Sequence, residues 1–462
     1  MVMLKSSFEC ETTYNEINPL IKDILDTRQD DGTFQSTGHF QFDEFENILF
    51  NHLFEKTNLK KELNQLKISF YSINYLDMLS KIDYDDNYFE KFIELLNEEI
   101  NRLKGLDLKK YTFLFVTNIE ELHCKEITGL TGERLKFVKK NCETLSIFKK
   151  ILNLFDIKIM EKQSFDNEKT MNYVDLPEQE KIHDIVSCYR GQVLRIDVHA
   201  RDISYAFDKA NSRFESFLGF LSFIRNHFYL NYRRGENISF RLFHVKTGKV
   251  FSFSEDDKID IYFYLLEEDE ADEIKKELSE LELIDLYSDL KIMHYSKLCN
   301  HLHDIIIQID NDGLLNVLYY VFSLYYTATL EERLEYSFFE FWIISEYLIK
   351  SSGKRKDEKV LRVIKRIVEF YKKDAFLSKR INFLYQKRNK LVHEGEMDVI
   401  NQYDRNLSKL IVDCLLSFYL YSIQHFKLRN LNDFNCLITK MGEEEITLDI
   451  NLIKEWNPKE TP

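Results

Sequence analysis

The chain contains few of the residues that interrupt helices. Only 13 of its 462 residues are glycine and 4 are proline. Because both residues break helix interiors, their scarcity favours long helices. It also argues against a Rossmann domain or a (β/α) barrel, whose turns usually need glycine. Hydrophobic residues make up 44%, which is too many for a disordered chain. At roughly 150 residues per domain, about three domains are expected.

The chain also lacks the marks of a secreted or membrane protein. Its 7 cysteines form no CxxC pair, and their odd number predicts reduced thiols rather than a disulfide scaffold. Residues 1–10 contain Lys5 and Glu9 instead of the apolar core of a signal peptide. The most apolar stretch, Leu314–Tyr326, is too short to span a bilayer. We therefore expect a soluble, cytoplasmic protein that does not associate with a membrane.

Hydrophobic periodicity predicts a mixed α/β N-terminal domain over residues 1–160. Helical spacing appears in Phe42–Phe54 and in Tyr88–Leu103, and the run around YTFLFV in Leu108–Asn118 is typical of a buried strand. The polar segment 161–181 is the best candidate for a linker.

Residues 182–300 are predicted to form a second α/β domain. A strand over Gln192–His199 precedes a long amphipathic helix over Ala206–Phe228. Alternation in Ser239–Phe253 predicts a hairpin that turns at Thr247-Gly248. A strand over Ile259–Leu266 and an acidic helix over Glu267–Glu282 complete this region.

Residues 301–430 are predicted to be a helical bundle, followed by a short tail, 431–462, that could hold a pair of strands. Glycines between the helices, Gly353 and Gly395, are expected to end them. The fold class is therefore α+β and predominantly helical, with mixed α/β N-terminal and middle regions and a C-terminal all-α bundle. The predicted helices are Ile305–Tyr326, Leu330–Lys350, Lys359–Tyr371, Ser378–His393 and Asn401–Leu428.

Charge is unevenly distributed along the chain. The net charge is −15, yet residues 350–390 contain 15 Lys and Arg against 4 Asp and Glu, so this block carries +11 and the remainder −26. A basic block in an acidic protein indicates a polyanion-binding surface. The alternatives are a solvated helix face, or a patch that docks onto the acidic segment 267–282 of the same chain.

A motif with catalytic potential ends the basic block: Arg388-Asn389-Lys390-Leu391-Val392-His393, followed by Glu394-Gly395. On an α-helix Arg388 and His393 would point about 140° apart, whereas Asn389 and His393 would share a face. Histidine can transfer protons near neutral pH, and arginine binds phosphate oxygens as a permanent cation. RNA cleavage by its own 2′-hydroxyl needs these functions and no metal.

The motif R-N-x-x-x-H resembles the ribonuclease signature of HEPN domains, and RNKLVHEG looks most like the Apea-like HEPN branch. The upstream segment Phe339–Leu348 (FEFWIISEYL) is similar to the aromatic helix with an internal glutamate in that family. The resemblance covers roughly residues 305–430. It implies a homodimer in which two motifs face each other, so that each composite site has two His and two Arg.

The resemblance further implies a metal-independent endoribonuclease that needs no cofactor. It suggests a bacterial anti-phage, abortive-infection or toxin effector that cleaves cellular RNA, with tRNA as a plausible target. Residues 1–300 would then respond to a phage or cellular trigger, and the acidic helix 267–282 could mask the basic block until activation. The pair His301 and His303 is not expected to bind metal, because alternate helical residues diverge.

The predicted catalytic residues are Arg388, Asn389 and His393, with Glu346 holding Arg388 in place. Each has a structural alternative: Arg388 could simply pair with Glu346 or Glu394, His393 could cap the helix, and Asn389 could be a surface amide. Tyr385 is expected to be exposed and could stack a base. A non-catalytic HEPN module that dimerises and binds RNA, nucleotide or protein is the alternative function. The candidate RNA-binding side chains are Lys379, Arg380, Tyr385, Lys387 and Lys390.

Overall fold

The computed structural model describes residues 11–29, 59–70, 73–83, 87–121, 132–160, 189–226, 247–254, 276, 279–280, 283–284, 312–350, 357–372, 375–395, 400–425, 433–434 and 437. Most of these residues are helical, and a small sheet accompanies the helices. The predicted predominantly helical α+β class is confirmed at this level.

Two compact units share the chain. One contains residues 1–113, 197–210 and 252–260, and the other contains 114–196, 211–251 and 261–462. The predicted domain limits at 160, 182 and 300 stay a prediction. The strands on either side of segment 161–181 are hydrogen-bonded neighbours in one sheet.

Within residues 1–113 of the first unit, the structure describes four helices: α1 (Glu11–Leu25), α2 (Leu59–Leu66), α3 (Tyr75–Ser80) and α4 (Tyr88–Lys104). Helix α4 confirms the predicted helix over 88–103, and its apolar stripe is buried. It packs on α1, whose Ile17 and Ile21 are fully buried. The predicted helix over 42–54 lies outside the described residues.

The described strands form one sheet in the order β2-β3-β1-β4. They are β1 (Lys109–Glu120), β2 (Lys158–Ile159), β3 (Gly191–Ala200) and β4 (Thr247–Ser254). Strands β1 and β3 confirm two predicted strands, and β2 pairs antiparallel with β3 through Lys158 and Arg195.

The predicted turn at Thr247-Gly248 is wrong, because both residues belong to β4. A tight hairpin turn needs positive φ angles at its central residues, and a β-branched threonine disfavours such angles. The extended backbone of a strand suits threonine instead. The strand predicted over 259–266 lies outside the described residues.

Helices α5 (Gly132–Leu154) and α6 (Ile203–Asn226) precede the C-terminal bundle, and α6 confirms the helix predicted over 206–228. Gly219 of α6 lies so close to the helix α7 (Asp312–Leu330) that an added Cβ would be 1.7 Å from the carbonyl oxygen of Phe322. Glycine is therefore required there by close backbone approach.

The C-terminal region consists of α7 (Asp312–Leu330), α8 (Leu334–Lys350), α9 (Asp357–Lys372), α10 (Ala375–Asn389) and α11 (Gln402–His425). These five helices confirm the predicted ones, with shifts at their ends. Helix α8 packs most extensively on α11 and α7, and α9 packs on α10 and α11. The region predicted as a strand pair is described only at residues 433, 434 and 437, which are helical, and Phe434 packs on Tyr419 of α11 with ring centroids 4.5 Å apart.

Helix α11 is the centre of the bundle. Its segment Gln402–Ile423 is long and apolar enough to cross a membrane, but every residue from Asp404 to Ile423 is buried inside the protein. The helix also buries an ion pair, in which Lys409 Nζ lies 2.6 Å from Asp413 Oδ2 and both side chains are fully inaccessible.

The prediction of reduced thiols is wrong for Cys142 of α5, which is disulfide-bonded. Cys414 of α11 is buried and takes part in no disulfide. Cysteine count and spacing do not report which thiols the fold brings within bonding distance.

Candidate active site

The motif lies where α10 ends. The α-helix stops at Asn389, and Lys390–Glu394 form a single π-helical turn. Gly395 then adopts a left-handed conformation with φ 69°, and its N–H donates a hydrogen bond to the carbonyl of Lys390. The predicted helix stop at Gly395 is thereby confirmed, because glycine adopts this conformation without a Cβ penalty.

The π-helical turn changes the relative direction of the motif side chains. Its hydrogen bonds join residues five apart, so such residues come nearer to one face than on an α-helix. The separation of about 140° predicted for Arg388 and His393 assumed α-helical geometry throughout. Single π-helical turns are frequent at functional sites.

Arg388 is held against the bundle by Glu346 of α8. Its Nη2 lies 3.6 Å from Glu346 Oε1, and the two side chains are 20% and 16% exposed. Nη1 donates a 3.2 Å hydrogen bond to Oδ1 of Asn389, while Nε is buried and makes no hydrogen bond within the described part of the chain. Of the two carboxylates considered for Arg388, Glu346 is the one that pairs with it.

Glu346 is itself positioned by the core. The indole Nε1 of Trp342 donates a 2.8 Å hydrogen bond to Oε1 of Glu346. Trp342 is buried, with 1% exposure. A rigid aromatic residue thus fixes the carboxylate that fixes the guanidinium, which keeps Arg388 near the tip of α10.

His393 is exposed to solvent on the π-helical turn, together with Val392 and Glu394. Asn389 is half-buried, and its amide oxygen is bonded to Arg388 rather than to the imidazole. The tip of α10 therefore offers an accessible imidazole beside a partly shielded guanidinium.

Two predicted RNA-binding cations are engaged by a buried carboxylate. Asp404, at the start of α11, is fully buried and accepts from Lys387 and, at 3.4 Å, from Arg380. It also forms a reciprocal capping box with Asn401: the Asp404 N–H donates to Asn401 Oδ1 at 3.0 Å, and the Asn401 N–H donates to Asp404 Oδ2 at 3.2 Å. The sequence analysis missed Asp404, although the pattern Asn-x-x-Asp before an apolar helix could have indicated the cap.

Tyr385 is not the exposed aromatic that was expected. It is half-buried, and its ring lies 6.0 Å from that of Trp342. Helical spacing explains the difference, because Tyr385 follows the buried residues Ile381 and Leu384 on the face that packs inward. Lys379 and Lys390 are exposed, as RNA-binding side chains must be.

Among the described side chains of α10, the exposed aromatic one is Phe383, which is not among the predicted site residues. Its side chain is 40% exposed. The guanidinium of Arg380 lies 4.3 Å from the ring centroid, and Lys387 Nζ lies 4.8 Å from it. To predict that Phe383 is exposed and Tyr385 is not, one would have to know which face of α10 packs against the bundle.

The described residues include no group of three or more His, Cys, Asp or Glu side chains that could hold a metal ion. His301 and His303 lie outside the described residues. So does most of the acidic segment 267–282, of which Lys276, Ser279 and Glu280 are described and exposed.

No protein-family model, no curated protein and no solved structure matches this chain.

Proposed function

We propose that this protein is a metal-independent endoribonuclease of the HEPN type, whose C-terminal bundle acts as a homodimer. The observation that carries the proposal is the arrangement at the end of α10. His393 is exposed on a π-helical turn, and Arg388, five residues before it in the chain, is held by Glu346. A motif sealed inside the bundle could not reach an RNA backbone.

The proposed reaction is an internal transfer at one phosphodiester. The 2′-oxygen attacks phosphorus, the bond to the 5′-oxygen breaks, and the products end in a 2′,3′-cyclic phosphate and a 5′-hydroxyl. One His393 imidazole removes the 2′-hydroxyl proton, and the His393 of a second copy, as imidazolium, protonates the leaving oxygen. Arg388 stabilises the negative charge on the pentacoordinate phosphorus by hydrogen bonding to its equatorial oxygens.

Two copies are needed because one imidazole cannot easily serve both ends of the reaction. Asn389 has a positioning role in this scheme, since its amide oxygen orients the Arg388 guanidinium. Glu346 is a second positioning residue. Lys379 and Lys390 would contact phosphates outside the reacting one, where cations add affinity without sequence preference.

The proposed biological role is that of a bacterial effector in the cytoplasm, released by infection or stress to cut cellular RNA such as tRNA. Residues 1–300 would receive the phage or cellular trigger. Because an unrestrained ribonuclease is toxic, masking of the basic block by the acidic segment 267–282 is part of the proposal.

The test is cleavage of RNA in EDTA by the wild type and by the variants Arg388→Ala and His393→Ala. Both substitutions should abolish cleavage, and the products of the wild type should carry cyclic phosphate ends. His199→Ala is the matched control, because His199 is an exposed histidine on β3, outside the motif. Melting temperatures of all variants check folding. Expression toxicity in a bacterium, relieved by the same two substitutions, extends the test to conditions in which a trigger is present.

A non-catalytic RNA- or protein-binding module is the second candidate, and the ion pair between Arg388 and Glu346 favours it. A guanidinium that serves only to hold α10 against α8 would have this partner and this partial burial. In that case His393→Ala would leave both RNA binding and bacterial growth unchanged, and Arg388→Ala would lower only the melting temperature.

A further inference from the structure

We propose that Phe383 is a base-stacking residue that selects unpaired nucleotides, so that the RNA taken by this protein is single-stranded at a position next to the cleavage site. The position next to a cleavage site rests on the proposed function. The binding surface itself can be tested independently of that function.

Among the side chains of α10 that the structure describes, Phe383 lies on the outward face between polar residues. Lys379, Asn382 and Gln386 of the helix and Lys390 of the following π-helical turn are the exposed polar residues around it. The inward face of the same helix buries Leu377, Ile381 and Leu384. Phe383 is outside this buried set, and its ring, which is 40% exposed, can be reached from solvent.

The charges around Phe383 fit a polyanion. Arg380 and Lys387 lie within 5 Å of its ring centroid, at 4.3 and 4.8 Å, one turn before and one turn after it. Asp404 offsets only one of these two positive charges. With Lys379 exposed on the same helix, the surface keeps a positive excess directly beside an aromatic ring, which is the combination that binds single-stranded nucleic acid.

An exposed ring can stack only on a base whose face is free. Bases in an A-form duplex are stacked on their neighbours, and the duplex presents phosphates and 2′-hydroxyls instead. A cationic patch alone would bind duplex and single strand alike. The ring therefore adds a preference for loops, bulges and ends.

Phe383 precedes His393 by ten residues, which corresponds to about 15 Å along the helix. The base stacked on Phe383 is consequently not at the scissile phosphate but some nucleotides away. Its function is to hold the strand in register, so its loss should weaken binding rather than remove the proton-transfer groups.

The experiment measures equilibrium binding by fluorescence anisotropy, with a labelled single-stranded oligoribonucleotide and with a duplex of the same sequence. The His393→Ala background prevents cleavage during the measurement. We expect the single strand to bind more tightly, and Phe383→Leu to weaken its binding by about 5- to 150-fold, the range for loss of one stacked base. Phe383→Trp should retain the affinity, and duplex binding should change by less than about twofold with either variant, because no free base face is lost.

Tyr336→Leu provides the matched control. Tyr336 is 37% exposed and carries the Arg333 guanidinium 3.8 Å from its ring centroid, but Glu331 pairs with this arginine. Its removal should leave RNA binding unchanged.

Equal affinities of the wild type and Phe383→Leu for the single strand would overturn the proposal, as would equal binding of duplex and single strand or no binding of either. A change in the molar mass of the protein with Phe383→Leu, without a change in RNA affinity, would assign Phe383 to a contact between two copies instead. Failure of the proposed ribonuclease is distinguishable, because it would abolish cleavage by the wild type and leave the effect of Phe383→Leu on binding intact.

Discussion

Replacing Asp413 by leucine should destabilise the C-terminal bundle more than most substitutions, because it removes the carboxylate that pairs with a buried ammonium group. Lys409 and Asp413 are one turn apart on α11, both fully inaccessible, with Nζ and Oδ2 2.6 Å apart. The hydroxyl of Tyr325 donates a 3.0 Å hydrogen bond to the other carboxylate oxygen. The three groups therefore satisfy one another inside the apolar core.

The magnitude follows from what each substitution leaves unpaired. Removing one partner of a buried ion pair costs about 3–5 kcal/mol. Each kcal/mol of lost stability lowers the melting temperature of a large domain by about 2–4 °C. Asp413→Leu and Lys409→Met should therefore each lower the melting temperature by about 6–20 °C. The double substitution removes both charges and should cost far less than the two single ones together. The residual cost is the unpaired hydroxyl of Tyr325, about 1–3 kcal/mol, which a third change, Tyr325→Phe, should recover.

The assay is a double-mutant cycle, with urea unfolding and thermal melting followed by circular dichroism. The reasoning predicts strong non-additivity: the double variant should be more stable than at least one of the single variants. Single variants within 1 °C of the wild type, or costs that simply add, would refute the view that charge desolvation dominates at this site.

Two further predictions concern other parts of the fold. Gly219→Ala should lower the free energy of unfolding by more than the roughly 1–3 kcal/mol typical of overpacking, because its Cβ would be 1.7 Å from the carbonyl oxygen of Phe322. Gly105→Ala, whose nearest contact is at 3.3 Å, should have little effect on the melting temperature. Similar melting temperatures for the two variants would contradict the close approach of α6 and α7. Burial raises the pKa of Tyr189 to about 12, and its hydroxyl donates to the carbonyl of Thr117. A tyrosine pKa raised from about 10 by folding contributes stability that is present below pH 10 and lost as the pH rises through 12. From pH 9 to pH 11, the melting temperature should therefore fall less for Tyr189→Phe than for the wild type. An equal or larger fall for the variant would contradict this assignment.

Local periodicity was sufficient for the individual elements. The apolar spacing in residues 88–103 and the aromatic run in residues 108–118 are patterns within single elements. Each indicates which face of its own element is buried, without information about the neighbouring elements. The five C-terminal helices were predicted for the same reason. The predicted turn at Thr247-Gly248 is wrong because the glycine alone is compatible with both a turn and a strand, and only pairing with a neighbouring strand decides between them.

The candidate site shows the same limit. The position of the motif at a helix end and the stop at Gly395 follow from adjacent residues. The pairing of Arg388 with Glu346 was one of two alternatives until α8 and α10 were placed in the same bundle. The engagement of Arg380 and Lys387 by Asp404 depends on how α11 begins beside α10, which no pattern within either helix reveals.

By itself, the sequence determined that the described part of this protein is mainly helical, roughly where the described C-terminal helices lie, and that a basic helix is followed by a glycine stop close to an arginine and a histidine. These properties depend on interactions over one or two turns. The tertiary structure alone decided that Tyr385 packs inward while Phe383 faces solvent, that the motif ends in a π-helical turn, and which carboxylates neutralise which cations. Those outcomes depend on contacts between residues distant in the chain, because burial and ion pairing are set by neighbouring helices.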